Sequence, residues 1–365
     1  MIPLRIRAEA DATHPFVVRL VSGSGSTRAC VPDPRDAVLA SDGGECLAYQ
    51  TSNGGLRLYD AAATDIDGDV LLVVPEGKIA HRLIRARSSH NTLVVTEQCD
   101  QLCVMCSQPP KKHHRDLFAY FEQAVRLAPP NAGLVISGGE PTLYKEQLFA
   151  FLVGALADRP DLHFHILTNG QHFEAGDVDL LRALPRDHVL WGIPLYSTLP
   201  AEHDEIVAKA GAFEQLTTAF AILGRAGAAI ELRTVVMRGN VERLPQLARY
   251  VATHLPFVSV WAIMQLENIG FARMNWASIF CDSSVAFESI GAAVDIATGR
   301  GVSARLYNFP LCTVPIAYRT AAVASISDWK RRYLDRCDGC TVRATCGGFF
   351  EWYPEKRGFA RVGLQ

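Results

Sequence analysis

Between Asn91 and residue 308, short apolar runs alternate with longer segments of helical periodicity. The runs have the length of buried strands, and the segments between them have the length of helices. The predicted strands lie near residues 92–96, 133–137, 163–168, 188–195, 230–237 and 257–264. The predicted helices lie near residues 114–128, 144–157, 175–184, 204–226, 241–254 and 284–299. Strand–helix units in this succession predict an α/β fold with a parallel sheet and right-handed crossovers.

Three cysteines follow the first predicted strand, in the stretch Cys99-Asp-Gln-Leu-Cys103-Val-Met-Cys106. Thiolates at this spacing can hold three irons of a 4Fe-4S cluster and leave the fourth iron open. The alternatives are three buried cysteines or a zinc site, although structural zinc usually takes four ligands in paired knuckles. An iron with an open coordination position indicates an enzyme.

A second motif, Ser137-Gly-Gly-Glu-Pro-Thr142, follows the second predicted strand. Together with the cysteine spacing, it resembles the radical S-adenosylmethionine (radical SAM) superfamily. The resemblance implies a partial (β/α)6 TIM barrel with its chemistry at the C-terminal ends of the strands. It also implies that SAM chelates the open iron and that its methionine part is bound by Gly138, Gly139, Glu140 and Pro141. Glycines there would let the backbone approach a ligand closely.

The resemblance implies further SAM contacts. Met105 stands where relatives commonly place an aromatic residue near the adenine, and its thioether can pack on a purine. Arg233 is suited to a carboxylate, although a salt bridge inside the barrel is equally compatible with the sequence. The other candidates are Ser197 for the ribose, Met264 for the adenine and Asn169 at the end of the third strand. No catalytic residue is predicted beyond the cluster and SAM, because radical abstraction requires no general acid or base.

Four more cysteines lie near the C-terminus: Cys312, Cys337, Cys340 and Cys346. Four thiolates can close a metal site completely, with either an iron-sulfur cluster or zinc. The spacing resembles the SPASM and twitch extensions of radical SAM enzymes, which implies one auxiliary 4Fe-4S cluster and a peptide or protein substrate. The remaining cysteines, Cys30, Cys46 and Cys281, are expected to be buried thiols, and Cys281 is an alternative cluster ligand.

Residues 1–88 contain short apolar runs punctuated by turn residues, which predict a small β-rich domain. The predicted division is therefore 1–88 for this domain, 89–300 for the partial barrel and 301–365 for the cysteine-rich auxiliary domain. The first domain could capture a peptide at a sheet edge, or cover the barrel or dock a partner. Residues 88–110, 326–330 and 346–350 resemble the HxsC maturases of the His-Xaa-Ser system. That resemblance implies a small ribosomally made peptide as the substrate.

The resemblance implies the following reaction. A reductant such as flavodoxin or ferredoxin reduces the cluster, and SAM is cleaved to methionine and a 5'-deoxyadenosyl radical. That radical abstracts hydrogen from a ribosomally synthesised precursor peptide, with a second radical SAM maturase as a candidate partner. Two alternatives stay open: a radical SAM enzyme acting on a small molecule or RNA, and a non-catalytic iron-sulfur or zinc scaffold.

Charge and hydropathy argue against a nucleic-acid-binding, membrane-spanning or secreted protein. The net charge is -2, from 36 basic and 38 acidic residues, so no global field attracts nucleic acid or an anionic membrane. The basic run at residues 111–115 is interpreted as a solvated helix start. No apolar stretch approaches the ~20 residues that span a bilayer, and the N-terminus lacks the apolar core of a signal peptide. These features predict a cytoplasmic protein whose ten cysteines are metal ligands and core thiols rather than disulfides.

Overall fold

A computed structural model describes residues 3–22 and 33–363 of the chain. Cys30 and most of the serine- and glycine-rich run near it lie outside these ranges. Three parts follow one another: an N-terminal barrel, a large parallel sheet with helices, and a C-terminal segment of short turns.

The N-terminal part is a closed seven-stranded barrel. Its strands are β1 (Arg5–Ala10), β2 (Phe16–Val21), β3 (Asp36–Asp42), β4 (Cys46–Thr51), β5 (Gly54–Tyr59), β6 (Val70–Val74) and β7 (Ile79–Ile84), with the short helix α1 (Ala63–Ile66) before β6. They pair in the order β1-β5-β4-β3-β2-β6-β7, and β7 closes the barrel on β1. Alternate residues such as Leu20, Leu56 and Leu58 fill the interior. Because closure pairs every described strand on both sides, capture of a peptide by strand addition is not supported.

The second part is a parallel sheet of eight strands that pair in chain order. They are β8 (Asn91–Thr96), β9 (Gly133–Gly138), β10 (His163–Leu167), β11 (Val189–Pro194), β12 (Ala229–Val235), β13 (Val260–Met264), β14 (Ala304–Tyr307) and β15 (Ala322–Val323). All six predicted strands are present. The sheet continues through β14 and β15, past residue 300, where the sequence placed a domain boundary. These last strands are too short for periodicity to identify.

Eight helices connect or flank these strands: α2 (Phe118–Arg126), α3 (Lys145–Asp158), α4 (Val178–Ala183), α5 (Pro200–Val207), α6 (Ala212–Ala226), α7 (Leu244–His254), α8 (Gly270–Ile279) and α9 (Glu288–Gly299). The single helix predicted over 204–226 is in fact α5 and α6. The chain turns between them through Ala208 and Gly211, which both have left-handed φ angles. Helix α8 was not predicted. The helices and the sheet enclose a core that includes Ile136, Trp191 and Trp261.

The basic run at residues 111–115 does not begin a helix, because α2 starts only at Phe118. It is an irregular segment attached to the loop after β8. The backbone N–H of Lys111 donates to the carbonyl of Glu97 at 2.8 Å, and the Gln98 amide donates to the carbonyl of Lys112 at 2.7 Å.

The C-terminal segment contains β16 (Arg331–Arg332) paired antiparallel with β17 (Phe349–Phe350). A partly buried ion pair attaches this segment to the exit of the N-terminal barrel. The Arg85 guanidinium donates to both carboxylate oxygens of Asp328, at 2.6 and 2.8 Å, and its side chain is 4% exposed. Bidentate pairs of this kind fix orientation as well as distance.

None of the helices in the described ranges is long and apolar enough to cross a membrane by itself. Among the described residues, one pair of helices, α5 and α6, meets the length and hydropathy that a span requires when the two are taken together, across a bend of 101°.

Candidate active site

A cavity of about 290 Å³ opens at the C-terminal ends of the parallel strands. Cys99, Cys103 and Cys106 line it from the loop after β8. The ends of β9 through β13 supply most of the remaining wall. The structure therefore brings the three predicted thiols together with the loops where parallel α/β barrels carry their chemistry.

The two glycines of the second motif hold the cysteine loop in place. A Cβ on Gly138 would lie 2.0 Å from the carbonyl oxygen of Thr96, and a Cβ on Gly139 would lie 2.1 Å from that of Gln98. Backbone hydrogen bonds fill this space instead, since Gly139 donates to Thr96 and Glu140 donates to Gln98, both at 2.8 Å. The glycines line the cavity, but the close approach that requires them is made by the cysteine loop.

Helix α8 packs against the other end of the cysteine loop. Gly270 begins this helix with φ +60°, and a Cβ there would lie 2.5 Å from the carbonyl oxygen of Cys106. The next residue, Phe271, donates its N–H to that oxygen at 2.8 Å. The thiols therefore sit on a loop held by close backbone packing at both ends.

Asp100, between the first two cysteines, was not recognised as a site residue. It accepts hydrogen bonds from the Asn169 side chain at 2.8 Å and from Lys209, and His172 Nε2 lies 3.3 Å from Oδ2. Burial alone would raise the pKa of Asp100, but the contacts with His172, Lys209 and Asn169 hold it well below its usual range. Asp100 thus remains ionised and ties the cysteine loop to the loops after β10 and α5.

Glu140 is fully buried behind the cavity wall. Its Oε1 accepts from the Thr142 N–H at 2.8 Å and from the Thr142 and Thr168 hydroxyls at 2.5 and 2.6 Å. Its Oε2 accepts from the Asn169 N–H at 2.5 Å. Glu140 therefore joins the loops after β9 and β10 and shapes the wall from behind. Pro141 begins a buried turn beside it.

The other predicted SAM contacts divide into two groups. Those that line the cavity are Met105, Gly138, Gly139, Asn169, Arg233 and Met264. Ser197 does not line it, because its hydroxyl donates to Glu202 at 2.8 Å and accepts from the Leu199 N–H just before α5. A ribose contact from Ser197 is therefore not supported. Pro194 and Tyr196 face the cavity from this strand end.

Residues 93–251, which carry the cysteine loop and the glycine motif, match the family model described as the radical SAM superfamily. The chain contains a radical SAM domain.

Three known proteins resemble this chain. The PqqA peptide cyclase of Granulibacter bethesdensis is 23% identical over 246 residues, which are 66% of this chain and 63% of the cyclase. SuiB from Streptococcus suis, in its S-adenosylmethionine-bound structure, has a TM-score of 0.50 and 14% identity over 61% of this chain and 51% of SuiB. Native anSMEcpe with bound AdoMet and the Cp18Cys peptide has a TM-score of 0.46 and 15% identity, over 59% of this chain and 62% of that chain. This chain thus spans less than two thirds of the length of each relative, and the SuiB likeness shows the fold alone.

The side chains of the radical SAM domain fit the cofactors of that superfamily. Three soft thiol donors open onto one cavity, as an iron-sulfur cluster requires. Gln265 also lines this cavity; it is 3% exposed, and its Oε1 is a buried acceptor without a hydrogen-bond partner. Burial raises the pKa of Cys99 to about 11 and that of Cys103 to about 12. Loading the site would therefore release protons from these thiols.

A polar group lies on strands β10 and β12 of the parallel sheet, next to the radical SAM cavity. Glu231 on β12 is 3% exposed, accepts from Arg233 two residues along, and lies 3.3 Å from His165 Nε2 on β10. Burial raises the pKa of Glu231, but His165 and the charge of Arg233 outweigh that effect and hold it at about 2. His165 thus faces inward, whereas His163 stacks on His188 at the other end of the strands, with ring centres 4.5 Å apart.

Replacing Glu231 tests whether its carboxyl group is ionised in the folded protein. We expect Glu231→Gln to lower the unfolding free energy at pH 7 by about 2–4 kcal/mol, because Arg233 loses its buried partner. The pKa of Glu231 is lower in the folded protein than in the unfolded chain, so its ionisation stabilises the fold at pH values above the unfolded pKa of about 4.3. This stabilisation is lost as the pH falls towards the folded pKa. The difference between wild type and variant should therefore shrink from about pH 4.3 to pH 2. Urea unfolding of the metal-free protein at several pH values measures this, and a pH-independent difference would contradict it.

A second set of cysteines meets in the C-terminal segment. Cys312, Cys337, Cys340 and Cys346 line one small cavity, although Cys312 precedes the others by 25 positions or more. The N–H groups of Leu311 and Gly348 point at the Cys346 sulfur, at 3.3 and 3.4 Å. Burial raises the pKa of Cys312 to about 11. The four thiols, with backbone N–H donors nearby, have the chemistry of iron-sulfur or zinc ligands.

Neither cysteine set is drawn together around a single ion. In residues 3–22 and 33–363, no group of three or more His, Cys, Asp or Glu side chains could hold one metal ion. Of the remaining cysteines, Cys281 is 6% exposed in the core around the sheet and lines neither cysteine cavity. Cys46 begins β4 of the N-terminal barrel.

One apolar cluster packs against both cysteine sets, and we call it the bridging core. Its buried members are Met105, Met237, Leu266, Ala272, Trp276, Phe280, Leu334, Phe349, Tyr353 and Phe359. Cys103 of the first set and Cys312 and Cys337 of the second set pack on it. The indole N–H of Trp276 on α8 donates to the carbonyl of Arg357 at 2.8 Å, which joins the radical SAM domain to the C-terminal segment.

Proposed function

We propose that this protein is a radical SAM enzyme that modifies a ribosomally synthesised peptide by hydrogen abstraction. The observation that carries the proposal is the opening of Cys99, Cys103 and Cys106 onto the same cavity as the glycine motif of β9. In this proposal the three thiolates hold a 4Fe-4S cluster, and SAM lies in the cavity beside it. When bound, these groups would supply an electron and a 5'-deoxyadenosyl radical.

The chain's own residues would orient SAM in the cavity and enclose it. Met105 and Met264, on two sides of the cavity, offer polarizable surfaces to the adenine. Arg233 offers a guanidinium to the methionine carboxylate while Glu231 holds it from below. The backbone at Gly138 and Gly139 forms the wall for the amino end, and Glu140 keeps that wall in place from behind.

A peptide substrate is supported by two observations. The relative that shares 23% identity over two thirds of this chain is named a peptide cyclase. The cysteines of the C-terminal segment meet in one cavity, as the resemblance to SPASM and twitch extensions implies. We propose that they hold one auxiliary 4Fe-4S cluster and that the protein is an HxsC-type maturase. The proposed compartment is the reducing cytoplasm, where such clusters persist and a flavodoxin or ferredoxin and a second maturase are available.

Anaerobic reconstitution with iron and sulfide tests this function. With SAM and dithionite, the protein should form 5'-deoxyadenosine and methionine, and the peptide encoded beside the gene should increase deoxyadenosine formation and change in mass. Nucleosides and tRNA serve as comparison substrates. Stimulation by these instead of the peptide would favour the small-molecule or RNA alternative. Failure of reconstituted protein to cleave SAM would favour a scaffold.

A further inference from the structure

The proposed function leaves one charged side chain of the active-site cavity without a role. Of the Asp, Glu, Lys and Arg residues that the structure describes, Arg233 and Glu267 line this cavity. Arg233 is paired with Glu231 and is proposed to take the methionine carboxylate of SAM. Glu267 follows the end of β13 and is not among the proposed SAM contacts. It is therefore available to a second ligand of the same cavity.

Glu267 is held by a residue of the C-terminal segment. The Lys330 ammonium donates to both of its carboxylate oxygens, at 3.2 and 3.1 Å, and lies 5.1 Å from the centre of the Phe350 ring. Asp328, two residues before Lys330, is fixed by its bidentate pair with Arg85. The carboxylate of Glu267 therefore has a defined position in the cavity wall.

The pairing with Lys330 leaves Glu267 able to accept further hydrogen bonds. A carboxylate has about four lone-pair sites, and Lys330 is its one hydrogen-bond partner among the described residues. The Glu267 side chain is 18% exposed. Burial raises the pKa of Glu267, and the charge of Lys330 opposes this and favours the ionised form, which accepts. Glu267 thus offers hydrogen-bond acceptors to a ligand.

Asn308 offers a donor beside this acceptor. The N–H of Gln265 donates to the Tyr307 carbonyl at 2.9 Å, so the chain leaves β13 and β14 side by side towards Glu267 and Asn308. The Ser325 hydroxyl accepts from the Asn308 N–H at 2.8 Å and donates its one proton to Asn308 Oδ1 at 3.0 Å. Asn308 Nδ2 has no hydrogen-bond partner in the part of the chain that the structure describes, and Asn308 lines the cavity. Two N–H donors of this amide therefore remain for a ligand.

We propose that Glu267 and Asn308 bind the backbone of the substrate peptide where it enters the cavity. The Glu267 carboxylate accepts a peptide N–H, and Asn308 Nδ2 donates to a neighbouring peptide carbonyl. Every peptide residue except proline carries these two groups, so an acceptor and a donor at adjoining strand ends complement a peptide backbone. The inference rests on the proposed function, since it takes a peptide as the substrate. It makes Lys330 the positioning residue that holds Glu267.

Peptide binding in the absence of turnover tests this inference. The reconstituted protein is loaded with S-adenosylhomocysteine, which lacks the sulfonium that is cleaved in SAM, and the probe is the peptide encoded beside the gene. In Glu267→Gln, Lys330 should keep the amide oxygen and turn the NH2 group towards the cavity, which weakens binding by about tenfold or more. Asn308→Asp tolerates the left-handed φ of +66° and keeps the acceptor for Ser325, but loses the Nδ2 donor. It should weaken binding by about fivefold or more.

Backbone methylation of the peptide tests the hydrogen bond itself. A series of peptides, each with one N-methylated backbone amide, removes the N–H groups one at a time. At one position, methylation should weaken binding to wild type by about fivefold or more and binding to Glu267→Gln by no more than about twofold. A merely structural role of Glu267 would give equal losses in the two proteins at every position, and that result would overturn the proposal.

The matched control is Glu202→Gln. Glu202 is also a carboxylate paired with a cation, Arg243 at 2.9 Å, and its side chain is 30% exposed, but it does not line the cavity. This variant should bind the peptide within about twofold of wild type at equal iron content. Equal weakening by Glu202→Gln and Glu267→Gln would contradict the proposal, because it would show a general effect of charge.

The subsite and the proposed function fail in different ways. Peptide modification by wild type, with normal peptide binding by Glu267→Gln and Asn308→Asp, would refute the subsite and leave the enzyme assignment standing. Weakened binding by both variants, without any deoxyadenosine formation under dithionite, would support the subsite and contradict the enzyme assignment.

Discussion

Simultaneous replacement of Cys99, Cys103 and Cys106 by alanine is expected to abolish SAM cleavage. It should also lower the iron content of reconstituted protein from about eight to about four per chain. These three thiols share the cavity at the C-terminal ends of the strands, and without them nothing holds iron beside the proposed SAM pocket. Iron and sulfide assays, together with chromatographic detection of 5'-deoxyadenosine, measure both effects.

The matched variant removes the other set by replacing Cys312, Cys337, Cys340 and Cys346 with alanine. It should also lose about four irons per chain, but the cluster at the first set should remain visible by electron paramagnetic resonance after reduction. About four irons and one zinc per chain in the wild type would show that the C-terminal site is a zinc site. Retention of full iron content by the first variant would contradict the ligand assignment.

The second large effect is expected from Gly139→Ala. The new Cβ would lie 2.1 Å from the Gln98 carbonyl oxygen, so the backbone next to Cys99 must move. Overpacking against a fixed backbone should lower the unfolding free energy by about 2–4 kcal/mol and reduce cluster occupancy. Urea unfolding of metal-free protein and iron content after reconstitution measure the two consequences.

Gly133→Ala is the control, because Gly133 begins the strand that Gly139 follows and a Cβ there meets nothing within 4 Å. It should change stability by no more than about 1 kcal/mol, with a stabilising sign, since alanine restricts the unfolded chain. If Gly139→Ala behaved like Gly133→Ala, the close contact between the glycine motif and the cysteine loop would not be needed for cluster binding.

The sequence predicted the parts of the fold that local pattern encodes. All six predicted apolar runs became strands of the parallel sheet, because burial on both faces requires continuous apolar residues. Strands β14 and β15 have four and two residues, too few for a pattern. The break between α5 and α6 depends on backbone angles at Ala208 and Gly211, while the apolar pattern continues on both sides. Closure of the N-terminal barrel depends on pairing between its first and seventh strands, which local pattern does not encode.

The site was predictable where ligands are neighbours in sequence. Spacing alone indicated the cysteine loop, and the structure places its three thiols on one cavity. Asp100 was missed although it stands inside the motif, because its partners Asn169 and Lys209 come from distant loops. Ser197 was assigned from its place at a strand end, but its hydroxyl instead bonds Glu202 and the Leu199 N–H around the start of α5. The contact of His165 on β10 with Glu231 on β12, two strands along the same sheet, depends on the register between strands.

We expect the bridging core to couple the loading of the two proposed clusters. Cys103, Cys312 and Cys337 pack on the same buried side chains, so ordering these side chains for one set also orders them for the other. Filling one proposed site should therefore lower the entropic cost of filling the second, and the effect should be reciprocal. Partly loaded protein should accordingly be scarce during reconstitution, with chains tending to hold both clusters or neither.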